Sequence, residues 1–304
     1  MFTGRIVKST GSWYLVEKSD GSGIISARLP GKMRLEGLQQ TNPVAVGDLV
    51  DLQSVDDGTA LVRNIHPRSN YITRQATHGK RGEQILAANI DVGIVVQSVR
   101  QPQFKTGFID RFLVTCEANH VTPLIVINKL DLARGKDMER LDEIRNLYTS
   151  LGYDILLMSV ERQDSVKQLK ERIQGSIVTM TGPSGVGKTS ILNALHPELN
   201  RTTAAVSGFS NKGKHTTTFA EMLPIGNNTY VVDTPGIREF GLVDIDAPGL
   251  SNFYPEMKDL RTACRFYNCT HVHEPGCAVM QAYDEGTIHP DRYMSYLQII
   301  ESLS

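Results

Sequence analysis

The chain has 304 residues, a formal net charge of −1 and a 40% hydrophobic composition, which suffices for one enzyme-sized core with two smaller appendages. No run approaches the roughly 20 apolar residues of a membrane-spanning helix, and there are no repeats or low-complexity tracts. This argues against a membrane, solenoid or disordered chain, and four cysteines without a secretory leader point to a reducing, cytoplasmic setting.

Residues 1–72 read as β structure. Gly4–Lys8, Trp13–Val16, Gly23–Arg28, Asp48–Leu52 and Ala60–Ile65 are five short strands separated by turn residues, the pattern of a small closed barrel, most simply an RNA-binding OB-fold. Residues 1–81 carry eleven Lys/Arg against seven Asp/Glu, with Lys32, Arg34, Arg68, Arg74, Lys80 and Arg81 in or beside the loops. That excess suits a nucleic-acid surface, although a solvated basic face looks the same in sequence. The polar, Gly-containing stretch from Ile72 to Gly82 reads as a linker.

Residues 73–240 carry nucleotide chemistry in an unusual order. An early helix buries Ile109, Phe112, Leu113 and Cys116 on one face. Thr122–Ile127 is a hydrophobic run suited to a parallel strand covered on both faces, and it ends in Asn128-Lys129-Leu130-Asp131, an NKxD base reader. Asp131 can accept from N1–H and the 2-amino group of guanine. Adenine would leave that carboxylate unpaired. Asn128 would bridge the base edge to neighbouring loops, and the Lys129 stem would cover the ring. Ser159 and Val160, after the strand Asp154–Met158, sit where the last base-contacting element belongs.

Next comes Gly182-Pro183-Ser184-Gly185-Val186-Gly187-Lys188-Thr189, a full GxxxxGK[ST] phosphate loop followed by Ser190. Its backbone N–H groups wrap a di- or triphosphate, Lys188 reaches the β/γ-phosphates and Thr189 ligates Mg²⁺. A strand over 176–181 and a helix over 190–195 flank it. About 45 residues beyond Thr189, Val231-Val232-Asp233-Thr234-Pro235-Gly236 reads as the metal strand. It carries Asp233 toward Mg²⁺ and Gly236 toward the γ-phosphate. An ordinary GTPase places the phosphate loop first; here the base reader precedes it, as in a circularly permuted fold. An ATP-using enzyme would share the phosphate loop, but the Asp131 carboxylate argues against it.

Residues 241–304 hold a third unit. Cys264, Cys269, His271 and Cys277 follow C-x4-C-x-H-x5-C, a closed Cys₃His set suited to one structural zinc. His273, at a less familiar spacing, is the alternative nitrogen ligand, and free buried thiols or a disulfide are the other readings of these cysteines. Pro290–Glu301 is a terminal amphipathic helix whose Tyr293, Tyr296, Leu297 and Ile300 suit packing on the Cys/His unit.

The reversed motif order, the barrel, Gly213-Lys214-His215-Thr216-Thr217-Thr218 and the cluster ending Glu274-Pro275-Gly276-Cys277-Ala278-Val279 resemble the ribosome small-subunit-dependent GTPase A family (RsgA, also called YjeQ or YloQ) over essentially the whole chain. The resemblance implies a multidomain α/β protein: OB-fold barrel, circularly permuted P-loop GTPase domain and C-terminal zinc-binding helical domain. It implies a bacterial cytoplasmic enzyme that converts GTP to GDP, binds the 30S subunit and its 16S rRNA late in assembly, is stimulated by the subunit and leaves after hydrolysis. A monomer is expected. The family's usual GRHTTT is GKHTTT here, keeping charge but not the Arg fork. After Ser159, Val160 stands where alanine is frequent.

The catalytic group is the least legible element. A Ras-like enzyme positions water with a Gln just after DxxG, and here that residue is Ile237. This leaves open a non-catalytic RNA-binding scaffold with a structural nucleotide. His215, which the family also suggests, is the candidate to position water or act as general base. One of Thr216 to Thr218 should ligate Mg²⁺, with Thr217 slightly ahead of Thr218.

Overall fold

A computed structural model describes residues 1–30, 43–75, 83–199, 220–233 and 245–303; the side chains of residues 73–75, 83, 84, 199 and 233 lie outside that description. Apolar residues alternating with polar ones build β1 (Phe2–Ser9), β2 (Tyr14–Lys18), β3 (Ile24–Arg28), β4 (Leu49–Ser54) and β5 (Ala60–Ile65). Their inward side chains, among them Ile6, Tyr14, Val16, Val50, Leu52 and Val62, form a separate small core. Strand β1 pairs with both β2 and β4, β3 pairs with β2 and, in parallel, with β5, and β5 pairs with β4. The ring closes, and the OB-like barrel expected from the sequence is present. Gly4, where β1 meets both neighbours, has no room for a side chain: a Cβ would lie 2.7 Å from the Glu17 carbonyl oxygen.

Part of the expected linker is structured instead. β6 (Tyr71–Gln75) and β7 (Glu83–Ala88) form an antiparallel hairpin, and Ile72 is buried in the GTPase-side core. The rest of the expected linker, residues 76–82, lies outside the described residues. Arg68 also has a different role from the one its charge suggested: it makes a two-pronged ion pair with the fully buried Asp48 at 2.6 and 2.7 Å and donates to the Pro43 carbonyl. Its guanidinium is committed to holding the barrel's 43–48 turn.

The central sheet comprises β8 (Val92–Ser98), β9 (Thr122–Asn128), β10 (Asp154–Leu157), β11 (Ile177–Thr181), β12 (Glu221–Gly226) and β13 (Thr229–Asp233). Their order is β10-β9-β8-β11-β13-β12, parallel except for the edge strand β12. Both faces are covered, which explains the unbroken apolar runs. On one face Val95 and Ile125 pack with Phe112 of α1 (Thr106–Ala118) and Tyr148 of α2 (Lys136–Ser150). On the other, Val96 and Val126 pack with Leu169 of α3 (Gln163–Ile173) and Ile191 of α4 (Lys188–Leu195). Cys116, as its helical face indicated, is core.

The appendages dock at different places. The barrel continues the central sheet, since Lys8 of β1 pairs with Glu221 of β12 in register and by a 3.0 Å ion pair. Tyr230 of β13 donates to Glu17 of β2 at 2.6 Å. The short helices α5 (Pro255–Lys258) and α6 (Ala278–Asp284) and the terminal α7 (Pro290–Leu303) instead share a core that includes Val114 of α1. There the buried Arg292 joins Asp110 of α1 to Glu256 of α5.

Candidate functional site

Every strand that carries a nucleotide motif ends at the same, carboxyl-terminal edge of the sheet, where open α/β folds bind ligands. Strand β11 delivers the 182–189 loop and α4 begins at Lys188 with Gly187 in the left-handed region at its cap. Two glycines of the loop are fixed by contact as well as by φ. A Cβ on Gly182 (φ +149°) would sit 2.2 Å from the Val96 carbonyl oxygen, and one on Gly187 (φ +99°) would sit 2.4 Å from Asn128 Nδ2. Glycine at both positions lets the loop pack directly against β8 and Asn128, and a glycine-rich loop leading into a helix N-terminus is the kind that binds phosphate oxygens. Val186 is buried and anchors the loop, while Ser184 and Gly185 are exposed and Pro183 and Ser190 are half-buried. Lys188 Nζ lies against the loop, donating to the Gly182 and Pro183 carbonyls at 2.6 and 2.7 Å. Thr189, in the first turn of α4, is nearly buried.

The base reader is tied to this loop. Asn128, at the end of β9, donates through Nδ2 to the Val186 carbonyl at 3.0 Å; its buried Oδ1 has no hydrogen-bond partner among the described residues. Such an orphaned acceptor fits a site completed by a ligand. Lys129 adopts a left-handed backbone (φ +63°), unusual for a side-chain-bearing residue. Its ammonium donates to the Gly185 carbonyl at 2.6 Å and the Gln101 carbonyl at 2.8 Å. The stem thus crosses from the base reader to the phosphate loop. Asp131 lies in the single turn Leu130–Leu132, and the Ser159 hydroxyl donates to its Oδ1. Ser159 is fully buried and Val160 half-buried. The serine after β10, a commonplace residue in sequence, orients the Asp131 carboxylate of the NKxD turn.

One participant escaped sequence reasoning. The 99–105 segment between β8 and α1 supplies the Gln101 carbonyl to Lys129, and it is pinned by Val99 N–H donating to the Asn128 carbonyl and Ser98 Oγ donating to Pro102. Backbone carbonyls have no residue signature, so no motif marks them. On the metal side, β13 ends at Asp233 beside β11. His215, Thr216 to Thr218, Gly236 and Ile237 lie outside the described residues.

The Cys/His set closes into one cluster. The ligand atoms of Cys264, Cys269, His271 and Cys277 all lie within 4.8 Å of one another. Cys264 Sγ to Cys277 Sγ is 3.9 Å, and His271 Nδ1 is 3.3 Å from Cys277 Sγ and 3.5 Å from Cys264 Sγ. A tetrahedron with metal–sulfur bonds of about 2.3 Å has S···S edges near 3.8 Å and S···N edges near 3.6 Å, so these atoms fit one small tetrahedral ion. His271 Nε2 contacts Ser251 Oγ at 3.1 Å, which aims Nδ1 at the sulfurs. Burial lowers the His271 pKa and keeps the imidazole in its neutral, ligating form. His273, the alternative ligand, is exposed and outside the cluster. Tyr293 and Tyr296 of α7 donate to the His271 and Thr270 carbonyls at 2.8 Å each, so the terminal helix does pack on this unit.

Sequence models of two domains match the chain: the RsgA N-terminal domain over residues 3–62 and the RsgA GTPase over residues 65–243. The chain belongs to the RsgA GTPase family. Similar proteins include the "Small ribosomal subunit biogenesis GTPase RsgA" of Bacteroides fragilis, 41% identical over 298 residues (98% of this chain and 96% of the relative). The protein of that name from Flavobacterium johnsoniae is 39% identical over 302 residues, covering 98% and 93%. Among solved structures, YjeQ from Thermotoga maritima superposes with a TM-score of 0.83 at 33% identity over 99% of this chain and 98% of that one. YloQ, described as a circularly permuted GTPase, gives 0.78 at 29% identity over 100% and 95%. The RsgA family thus accounts for the base reader's place ahead of the phosphate loop.

Proposed function

We propose that this GTPase binds the small ribosomal subunit through its 16S rRNA during late assembly, and that the subunit completes its catalytic site. Support comes chiefly from one observation: base reader, phosphate loop and metal strand meet at one edge of a sheet that is joined to an OB-like barrel through β1 and to a Cys₃His unit through α1. The names of the relatives point the same way. The functional units are the barrel (1–72), the GTPase domain (73–240) and the zinc domain (241–304). The protein acts as a monomer in the cytoplasm; no described helix is long and apolar enough to cross a membrane.

Each residue has a defined task. Asp131, oriented by Ser159, reads guanine, with Asn128, Lys129 and Val160 completing the base pocket. Gly182, Pro183, Ser184, Gly185, Val186, Gly187, Lys188, Thr189 and Ser190 hold the phosphates. Thr189, Asp233 and Thr217 hold Mg²⁺, which neutralises the charge that develops between β- and γ-phosphates, and the Gly236 N–H faces the γ-phosphate. His215 positions the attacking water in place of the Gln that Ile237 cannot supply. The test is GTP turnover with and without purified 30S subunits. A rise of about 10²-fold or more is expected, trans-acting activation of GTPases reaching roughly 10³–10⁵. His215→Ala should remove most of that rise and leave 30S association intact. A parent protein that ignores 30S subunits overturns the reading.

The metal of the Cys₃His cluster is zinc. Three thiolates and a neutral imidazole form a closed site of the structural type, which gains folding free energy from the ion. One tightly held zinc per chain is expected in protein purified without chelator, measured by elemental analysis. Cys269→Ser should lose it and speed amide exchange across residues 250–304. GDP affinity should change little, because the base and phosphate contacts lie in the GTPase domain.

A further inference from the structure

We infer that the loop between the first two metal ligands, Arg265 to Asn268, is a stacking site for an unpaired nucleobase of the RNA partner. This rests on the ribosomal reading above. Tyr267 is 96% exposed, more than any other described large hydrophobic residue except the chain-terminal Met1, and its neighbour Phe266 is 40% exposed. Exposed aromatics at a loop tip cost solvation and gain nothing for the fold, since Tyr267 belongs to no core cluster. The tip is nevertheless held. Cys264 and Cys269 bracket it within the metal cluster, Cys269 N–H donates to the Phe266 carbonyl at 3.2 Å and Arg265 N–H donates to the Gly276 carbonyl at 3.1 Å. The Arg265 stem lies along Gly276, where a Cβ would come within 3.2 Å of it.

The chemistry of the tip selects its occupant. The Arg265 guanidinium sits 5.4 Å from the Phe266 ring centroid, so a cation and two aromatic faces are presented together with no acidic residue between Cys264 and Cys269. The acidic neighbour Glu274 is turned inward, its carboxylate taken up by Thr270 and by the Val272 and His273 N–H groups. Unpaired bases stack on aromatic rings and on guanidinium planes, and a nearby positive charge meets the phosphate. A duplex offers no free base face, so the site requires a loop, bulge or strand end.

The test uses full-length, zinc-loaded protein and purified 30S subunits. Tyr267→Ala should weaken 30S binding at least about fivefold, the lower end of base stacking measured by alanine substitution, with zinc content unchanged. Tyr267→Phe should bind like the parent and Tyr267→Leu like the alanine variant, because a base needs a ring face and an apolar protein pocket does not. Ultraviolet crosslinking should place residues 266–267 on a nucleotide. Equal binding by parent and Tyr267→Ala overturns the inference while leaving the ribosomal reading intact; so does a crosslink to a ribosomal protein alone, or a Tyr267→Leu variant that binds normally. Failure of the parent itself to bind 30S subunits would instead remove the reading on which the inference rests.

Discussion

Asp131→Asn should weaken GTP binding by about 3 kcal/mol, roughly two orders of magnitude in Kd, and strengthen binding of xanthosine triphosphate by a similar factor. The structure makes this substitution a clean exchange. Ser159 donates to Asp131 Oδ1, and an asparagine there can keep its carbonyl oxygen on Ser159 and turn its NH₂ outward. That amide donates where the carboxylate accepted. Guanine presents N1–H and a 2-amino group, both donors, so two donors would face each other. Xanthine presents a 2-carbonyl in place of the amino group and accepts the new hydrogen bond. Nucleotide titrations of both proteins with both triphosphates give the answer. Unchanged GTP affinity in Asp131→Asn would remove the base-reading assignment. Lys129 should be unaffected, since its ammonium is held by the Gly185 and Gln101 carbonyls.

Arg292→Met should cost about 3–5 kcal/mol of stability, the scale for removing one partner of a buried ion pair. Arg292 is 1% exposed, and its guanidinium bonds Asp110 Oδ1 and both oxygens of Glu256. It also lies 4.4 Å from the Tyr254 ring centroid and 5.9 Å from that of Tyr148, whose hydroxyl donates to Asp110 at 2.7 Å. Burial already pushes the Asp110 carboxyl above its ordinary value against the pull of the guanidinium. Without Arg292 that carboxyl would take up a proton or carry an unpaired buried charge. The double variant Asp110→Asn, Arg292→Met should lose less than the sum of the two single variants, by about 1 kcal/mol or more. Urea unfolding supplies the stabilities, and hydrogen exchange of α1 and α7 locates the loss. Strict additivity would show that the pair contributes nothing to docking.

What the sequence disclosed and what it withheld divide along physical lines. A phosphate loop, an NKxD turn and a Cys₃His set are local: a few residues must carry that chemistry at that spacing, and the order of the first two already revealed the permutation. The barrel was legible from five short strands separated by turn residues, and the terminal helix from its apolar face. Docking was not. Arg292 and Asp110 are 182 residues apart, and in sequence each looks like an ordinary charged residue on a helix. Arg68 read as a basic loop residue because its partner, Asp48, is recognisable only once the 43–48 turn is folded. The polar stretch after Ile72 concealed the β6–β7 hairpin, whose buried residues Ile72, Ile85, Leu86, Ala87 and Ala88 lie on either side of that stretch. The Gln101 carbonyl carries no side-chain signature at all.

Because β1 belongs to the barrel and to the central sheet at once, the barrel does not hang from a tether. The Cys₃His unit is likewise clamped to α1 by the buried Arg292. Both appendages are therefore held to the GTPase core by ordered contacts, one through a shared strand and one through a buried ion pair. A partner that touches both at once would gain the avidity of a divalent hold whose effective concentration is set by folded structure rather than by a flexible linker.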